Sequence, residues 1–201
     1  MNSTPLERVS GTAALLAPVL LLVSTVAFFT LGGGIGVGAV AGVTLVFAMI
    51  MFAIALVGLA RQAEPAAPRA AAAITAVGLA GTAGGVGFGI DSIQAQLFGT
   101  PGLDEASLAG VIALRVPGLL FPLSMIALAV LLGVTGRAPR ALAATLAVAA
   151  ALFPVARIGG LMPVGIASDL LFIAAMGALG LGLLRGTSHP AQQDHREAVA
   201  A

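Results

Sequence analysis

The chain has 201 residues, of which 59% are hydrophobic and 8% charged, with a mean hydropathy of +1.11 and a formal net charge of +1. Soluble domains carry charge on roughly a quarter of their residues, so this composition places the chain in a lipid bilayer and excludes a soluble catalytic or nucleic-acid-binding module. Missing residue types exclude more. There is no Cys for a disulfide or thiolate, all nine basic residues are Arg, and the two His, His189 and His195, lie near the C-terminus. Schiff-base chemistry, thiolate catalysis, haem ligation and His-based metal sites are therefore not expected, and no cofactor or metal is assigned.

A polar leader, residues 1–10 with Glu7 and Arg8, precedes a first apolar span at about 12–31. That run is too long for the h-region of a signal peptide, and cleavage near Ala39-Val40-Ala41 would consume the next span. Gly32-Gly33-Gly34-Ile35-Gly36-Val37-Gly38 reads as a tight, uncharged turn; with no strand before it, its glycines are not a nucleotide-binding signature. Span two covers about 39–60, a polar loop runs from Arg61 to Arg69, and span three covers about 70–90.

The longest connector, 91–108, holds Asp91, Gln94, Gln96, Asp104 and Glu105 and no base. Pro101, Asp104 and Glu105 mark a helix start within it. Span four follows at about 109–134, Arg137 and Arg140 lie in the next loop, and spans five and six cover about 141–159 and 162–184. Residues 1–185 thus form the bundle, and 186–201 form a polar tail expected to be disordered. Segments this long and apolar on every side are helices rather than barrel strands, so the fold class is all-α, a polytopic six-transmembrane-helix bundle.

Arg8, Arg61, Arg69, Arg137, Arg140, Arg185 and Arg196 fall on one side of the six spans, and the opposite connectors contain no base. By the positive-inside rule both termini are expected to be cytoplasmic, in a cytoplasmic-membrane protein whose 91–108 loop faces outward.

Two small-residue patterns predict helix packing. Gly81, Gly85 and Gly89 recur every fourth residue in span three, beside a ridge of Ala72, Ala76, Ala80 and Gly84, and Ala174, Ala178 and Gly182 recur in span six. Such stripes allow close approach in lipid, and they predict span three as the central helix with span six as its partner. Pro117 and Pro122 in span four and Pro154 in span five predict kinks in the outward half.

Inside the spans only Arg115, Arg157 and Asp169 are charged, with Asp91 at the end of span three. A charge in hydrocarbon costs roughly 2.5–3.5 kcal/mol on insertion scales, so such groups are paired or used. One reading is an interhelical ion-pair network, Arg157 or Arg115 with Asp169 and the other Arg with Asp91. A second is an outward-facing cavity in which Arg115 and Arg157 bind an anion and Asp169 serves as counter-ion or proton carrier. An aspartyl dyad of Asp91 and Asp169 is disfavoured because Asp91 sits at the membrane edge. Ser92, Ser124 and Ser168 have no intramembrane base, and Met49 with Met51 is better read as core filling than as a copper site. The expected role is non-enzymatic and accessory or interaction-based, with the bilayer and a membrane-protein partner or second copy as partners. The alternative is a small-solute or proton-coupled transporter for an anionic solute.

Overall fold

The computed structural model describes residues 3–31 and 39–186. The expected Gly32–Gly38 turn and the tail from 187 onward, including His189, His195 and Arg196, lie outside the described residues. Every element is helical: α1 (Pro5–Leu31), α2 (Ala39–Ala63), α3 (Pro68–Phe98), the single turn α4 (Leu103–Ala106), α5 (Leu108–Val134), α6 (Arg140–Gly159) and α7 (Met162–Arg185). All but α4 are long and apolar enough to cross a membrane, and the chain is a multi-pass, six-helix membrane protein.

Local chemistry sets the helix ends. The α1 helix begins inside the expected polar leader, because Thr4-Pro5-Leu6-Glu7 is a capping box: Glu7 N–H donates to Thr4 Oγ1 at 3.2 Å and Thr4 N–H donates to Glu7 Oε2 at 2.6 Å. At the other extreme α3 runs to Phe98, eight residues past its expected end, and absorbs Asp91, Gln94 and Gln96 from the expected connector. Hydropathy falls there but helix propensity does not, and the helix stops only where Gly99 takes a left-handed φ of 62°. At about 1.5 Å per residue its 31 residues span about 46 Å, more than the ~30 Å hydrocarbon layer. The helix start expected at Pro101 to Glu105 is only the turn α4. Ser107 then caps α5 afresh, its Oγ accepting the Gly110 N–H at 3.0 Å.

Consecutive spans pack side by side, and α1 against α7 closes them into a ring; α2 also touches α5 across it. The expected pairing of spans three and six is not formed. The α3 helix lies between α2 and α5, and α7 between α1 and α6. Nor is α3 central: 33% of its most apolar window is buried, against 44% for α2. Its Gly81-Gly85-Gly89 stripe is nevertheless buried. A Cβ on Gly89 would stand 2.8 Å from the Gly42 carbonyl oxygen of α2, and one on Gly81 would stand 2.6 Å from the Phe121 Cα of α5. By contrast Ala72, Ala76, Ala80, Ala174 and Ala178 are exposed on the bundle surface.

At mid-depth Phe52, Phe121 and Phe172 meet from α2, α5 and α7, with centroid separations of 5.0, 5.5 and 6.3 Å, and Phe153 of α6 stands edge-on to Phe121 at 5.4 Å. From there toward the termini the bundle is filled by fully buried leucines, among them Leu56, Leu59, Leu128, Leu132 and Leu146. Most of the buried polar side chains, among them Thr25, Asp91, Ser92, Ser168 and Asp169, lie toward the opposite end, which carries α4.

Candidate functional site

The four ionisable residues predicted to converge all lie toward the α4 end, but with different partners from those expected. Asp91, on α3, is 8% exposed, and its two carboxylate oxygens accept the Leu103 N–H at 3.1 and 3.2 Å. It ties the first residue of α4 back onto α3 and pairs with no Arg. An Asp91→Ala change removes a charge-assisted hydrogen bond, generally worth about 1.5–3 kcal/mol, and is expected to lower unfolding stability by that order. Loss of hydrogen-exchange protection at the Leu103 amide, with the α1 and α7 amides unchanged, would check it.

Arg115, on α5, pairs instead with Asp104 of α4: Nη2 stands 3.0 Å and Nε 3.1 Å from the same carboxylate oxygen. Asp104 had been read only as a helix-start signal. The stop at Ser107 folds α4 back over the first turns of α5, which brings residues eleven apart into contact. An acid in the loop beside an intramembrane Arg was the signal available for this pair.

Arg157, in the last turn of α6, donates from Nη2 to Thr25 Oγ1 of α1 at 2.9 Å, and its guanidinium carbon lies 5.3 Å from the Phe153 ring centre. Behind Thr25 stands Asp169 of α7, 1% exposed, its carboxylate beside the Thr25 hydroxyl and within the field of Arg157. No direct ion pair joins Arg157 to Asp169; Thr25 lies between them. The Asp169 Oδ2 atom is buried without a hydrogen-bond donor. The three helices pack closely at Gly165, where a Cβ would come within 3.3 Å of the Thr25 methyl and 3.7 Å of Ala156. Sequence reasoning missed Thr25, whose place in an apolar stretch of α1 carried no mark of its role.

Arg115 and Arg157 are brought together in one respect. Both line a cavity of about 290 Å³ formed by α2, α3, α5 and α6. Its floor is Met49, Gly85 and Phe121, and its sides include Phe88, Leu119, Phe153 and Ile158. Two of the prolines expected to make room, Pro122 and Pro154, line it, whereas Pro117 packs against Gly84. Glycines let the lining side chains pack closely: a Cβ on Gly118 would meet the Phe88 ring at 2.9 Å, and one on Gly85 would meet Met49 at 2.7 Å. Asp91 and Asp169 do not line the cavity. It is therefore lined by two Arg residues above an apolar floor, and each guanidinium keeps N–H donors beyond those used on Asp104 and Thr25 with which to meet an anion.

No protein-family model, curated protein or solved structure matches the chain.

Proposed function

We propose that this six-span protein is a non-enzymatic accessory protein of the cytoplasmic membrane that works by binding an anion between Arg115 and Arg157. The observation that carries the reading is the presence of two Arg residues, from different helices, in the lining of one cavity. Its orientation follows from charge. Arg8, Arg61, Arg69, Arg137, Arg140 and Arg185 lie at the end that carries the termini, which the positive-inside rule assigns to the cytoplasm, so the cavity belongs to the outer half of the bilayer. Depth favours binding over passage: the cavity ends on Phe121, and beneath it the Phe52-Phe121-Phe172 cluster and the leucine layer are fully packed. A membrane-protein partner or second copy would read the occupied state.

The reading is tested by thermal unfolding of the purified protein in a neutral detergent against phosphate, acetate and octanoate. Saturable stabilisation by at least one anion, lost in Arg115→Gln, is the expected result. Far-UV circular dichroism must first show that Arg115→Gln keeps its fold, because the change also removes the pair with Asp104. No anion dependence in the wild type, or the same dependence in the variant, would overturn the proposal.

One observation favours transport as a second reading. The buried, unmatched Oδ2 of Asp169, separated from Arg157 by Thr25, is an intramembrane acid of the kind that carries protons in coupled transport. Uptake of an anion into proteoliposomes, lost on Asp169→Asn with the fold retained, would select it.

A further inference from the structure

We infer that the anion held at Arg115 and Arg157 is the headgroup of a single-chain lipid whose acyl chain enters the cavity sideways from the bilayer between α5 and α6. The inference rests on the anion-binding reading above and names its ligand class.

Three features point to a lipid rather than to a water-borne ion. First, the mouth opens sideways. Ile158 of α6 and Leu119 of α5 line the cavity while being 79% and 45% exposed, so the opening runs down the outer surface of the bundle from the end of α6 at Ile158 to Leu119, deeper in its span, where acyl chains pack. Second, the interior suits hydrocarbon. Below the two Arg the lining is Met49, Phe88, Phe121 and Phe153 with two glycines, and a dry apolar void forfeits the contacts that a chain would restore. Third, the size suits one chain. About 290 Å³ sits at the lower edge of the ~300–1,000 Å³ typical of ligand sites, too small for a two-chain phospholipid.

Charge complementarity then decides which single-chain lipid. Moving a chain from bilayer into an apolar cavity exchanges one hydrocarbon environment for another, so the chain contributes little selectivity. Selectivity comes from the head, where Arg115 stands at the polar boundary and Arg157 is aligned by Thr25 and Phe153. A carboxylate or phosphate there meets the Arg115 donors that Asp104 leaves free, and the Asp104 carboxylate beside them opposes it by charge.

The test uses the full-length protein in neutral detergent, titrated with palmitate, with palmityl alcohol as the same chain without charge, and with inorganic phosphate as charge without a chain. Palmitate is expected to raise Tm saturably by about 5 °C at a large excess over Kd, and the other two to leave it unchanged. Ile158→Trp, at an exposed position on the mouth, should reduce the palmitate shift, and Asp104→Asn, which frees Arg115, should lower the palmitate Kd several-fold. If phosphate matches palmitate, the lipid inference fails while the anion reading stands. If palmityl alcohol matches palmitate, or if no probe shifts Tm, both fail. Indifference of the palmitate Kd to both variants would also overturn the inference, because it would place the binding elsewhere.

Discussion

Replacing Gly81 with valine is expected to destabilise the bundle by about 3 kcal/mol or more, the upper part of the range for overpacking a well-filled interior. The cause is where the new Cβ would sit. It would fall on the α5 backbone, 2.6 Å from the Phe121 Cα and 2.7 Å from the Leu120 carbonyl carbon, and a backbone cannot turn aside as a side chain can. Accommodating it means pushing α3 away from α5, which opens one side of the cavity and loosens the floor residue Phe121. Gly177→Ala supplies the contrast, because its Cβ would lie 4.0 Å from Leu15, an ordinary contact, and it should be close to neutral. Equilibrium unfolding of both variants in mixed micelles checks the pair. A Gly81→Val protein within about 1 kcal/mol of wild type would refute the close α3-α5 contact.

Arg157 and Asp169 are expected to be energetically coupled although they do not touch. Asp169 is 1% exposed with one carboxylate oxygen lacking a donor, and Arg157 is the cation whose field reaches it past Thr25. Removing Arg157 leaves an uncompensated buried charge, a loss generally of about 3–5 kcal/mol. Arg157→Gln should fall near the lower end of that range because Thr25 intervenes. Adding Asp169→Asn removes the stranded charge, so the double variant should be more stable than the sum of the single losses implies, by at least about 1 kcal/mol. A double-mutant cycle on unfolding free energies measures this directly. Strict additivity would show that the Arg157-Thr25-Asp169 junction is not an electrostatic unit.

The architecture was largely legible in the sequence, and the reason is lipid. A bilayer requires each span to satisfy its own backbone, so hydropathy and length alone imply six helices, and the Gly and Pro punctuation around α5, α6 and α7 places their ends to within a residue. What hydropathy does not see is a helix that continues into polar sequence. That is why the Thr4-Glu7 capping box and the last eight residues of α3 were read as loop. Helix neighbours were less legible still. Ala174 and Ala178 look like a packing stripe yet face outward, because lipid and protein interior are equally apolar and a small residue suits either. At the site, the sequence places Arg115, Arg157, Asp91 and Asp169 at a common depth but says nothing about azimuth around the ring. The partners turned out to be Asp104, Thr25 and the Leu103 amide, two of them uncharged and the third on a turn that exists only because the helix breaks at Ser107.

Access of anions to the Arg115 and Arg157 cavity from the outer side can be measured without background, because the chain contains no Cys. Ile158 stands one residue from the end of α6, where the mouth meets the membrane edge, so a single cysteine placed by Ile158→Cys is treated with membrane-impermeant thiosulfonate reagents, one bearing a sulfonate and one a trimethylammonium group, in right-side-out and inside-out vesicles. Each rate is taken relative to that reagent's rate with a free thiol. Modification is expected from the outer face, with the anionic reagent favoured by about tenfold and the preference erased by Arg115→Gln with Arg157→Gln. Modification only from the cytoplasmic face, or equal relative rates for the two reagents, would contradict anion access from the outer side.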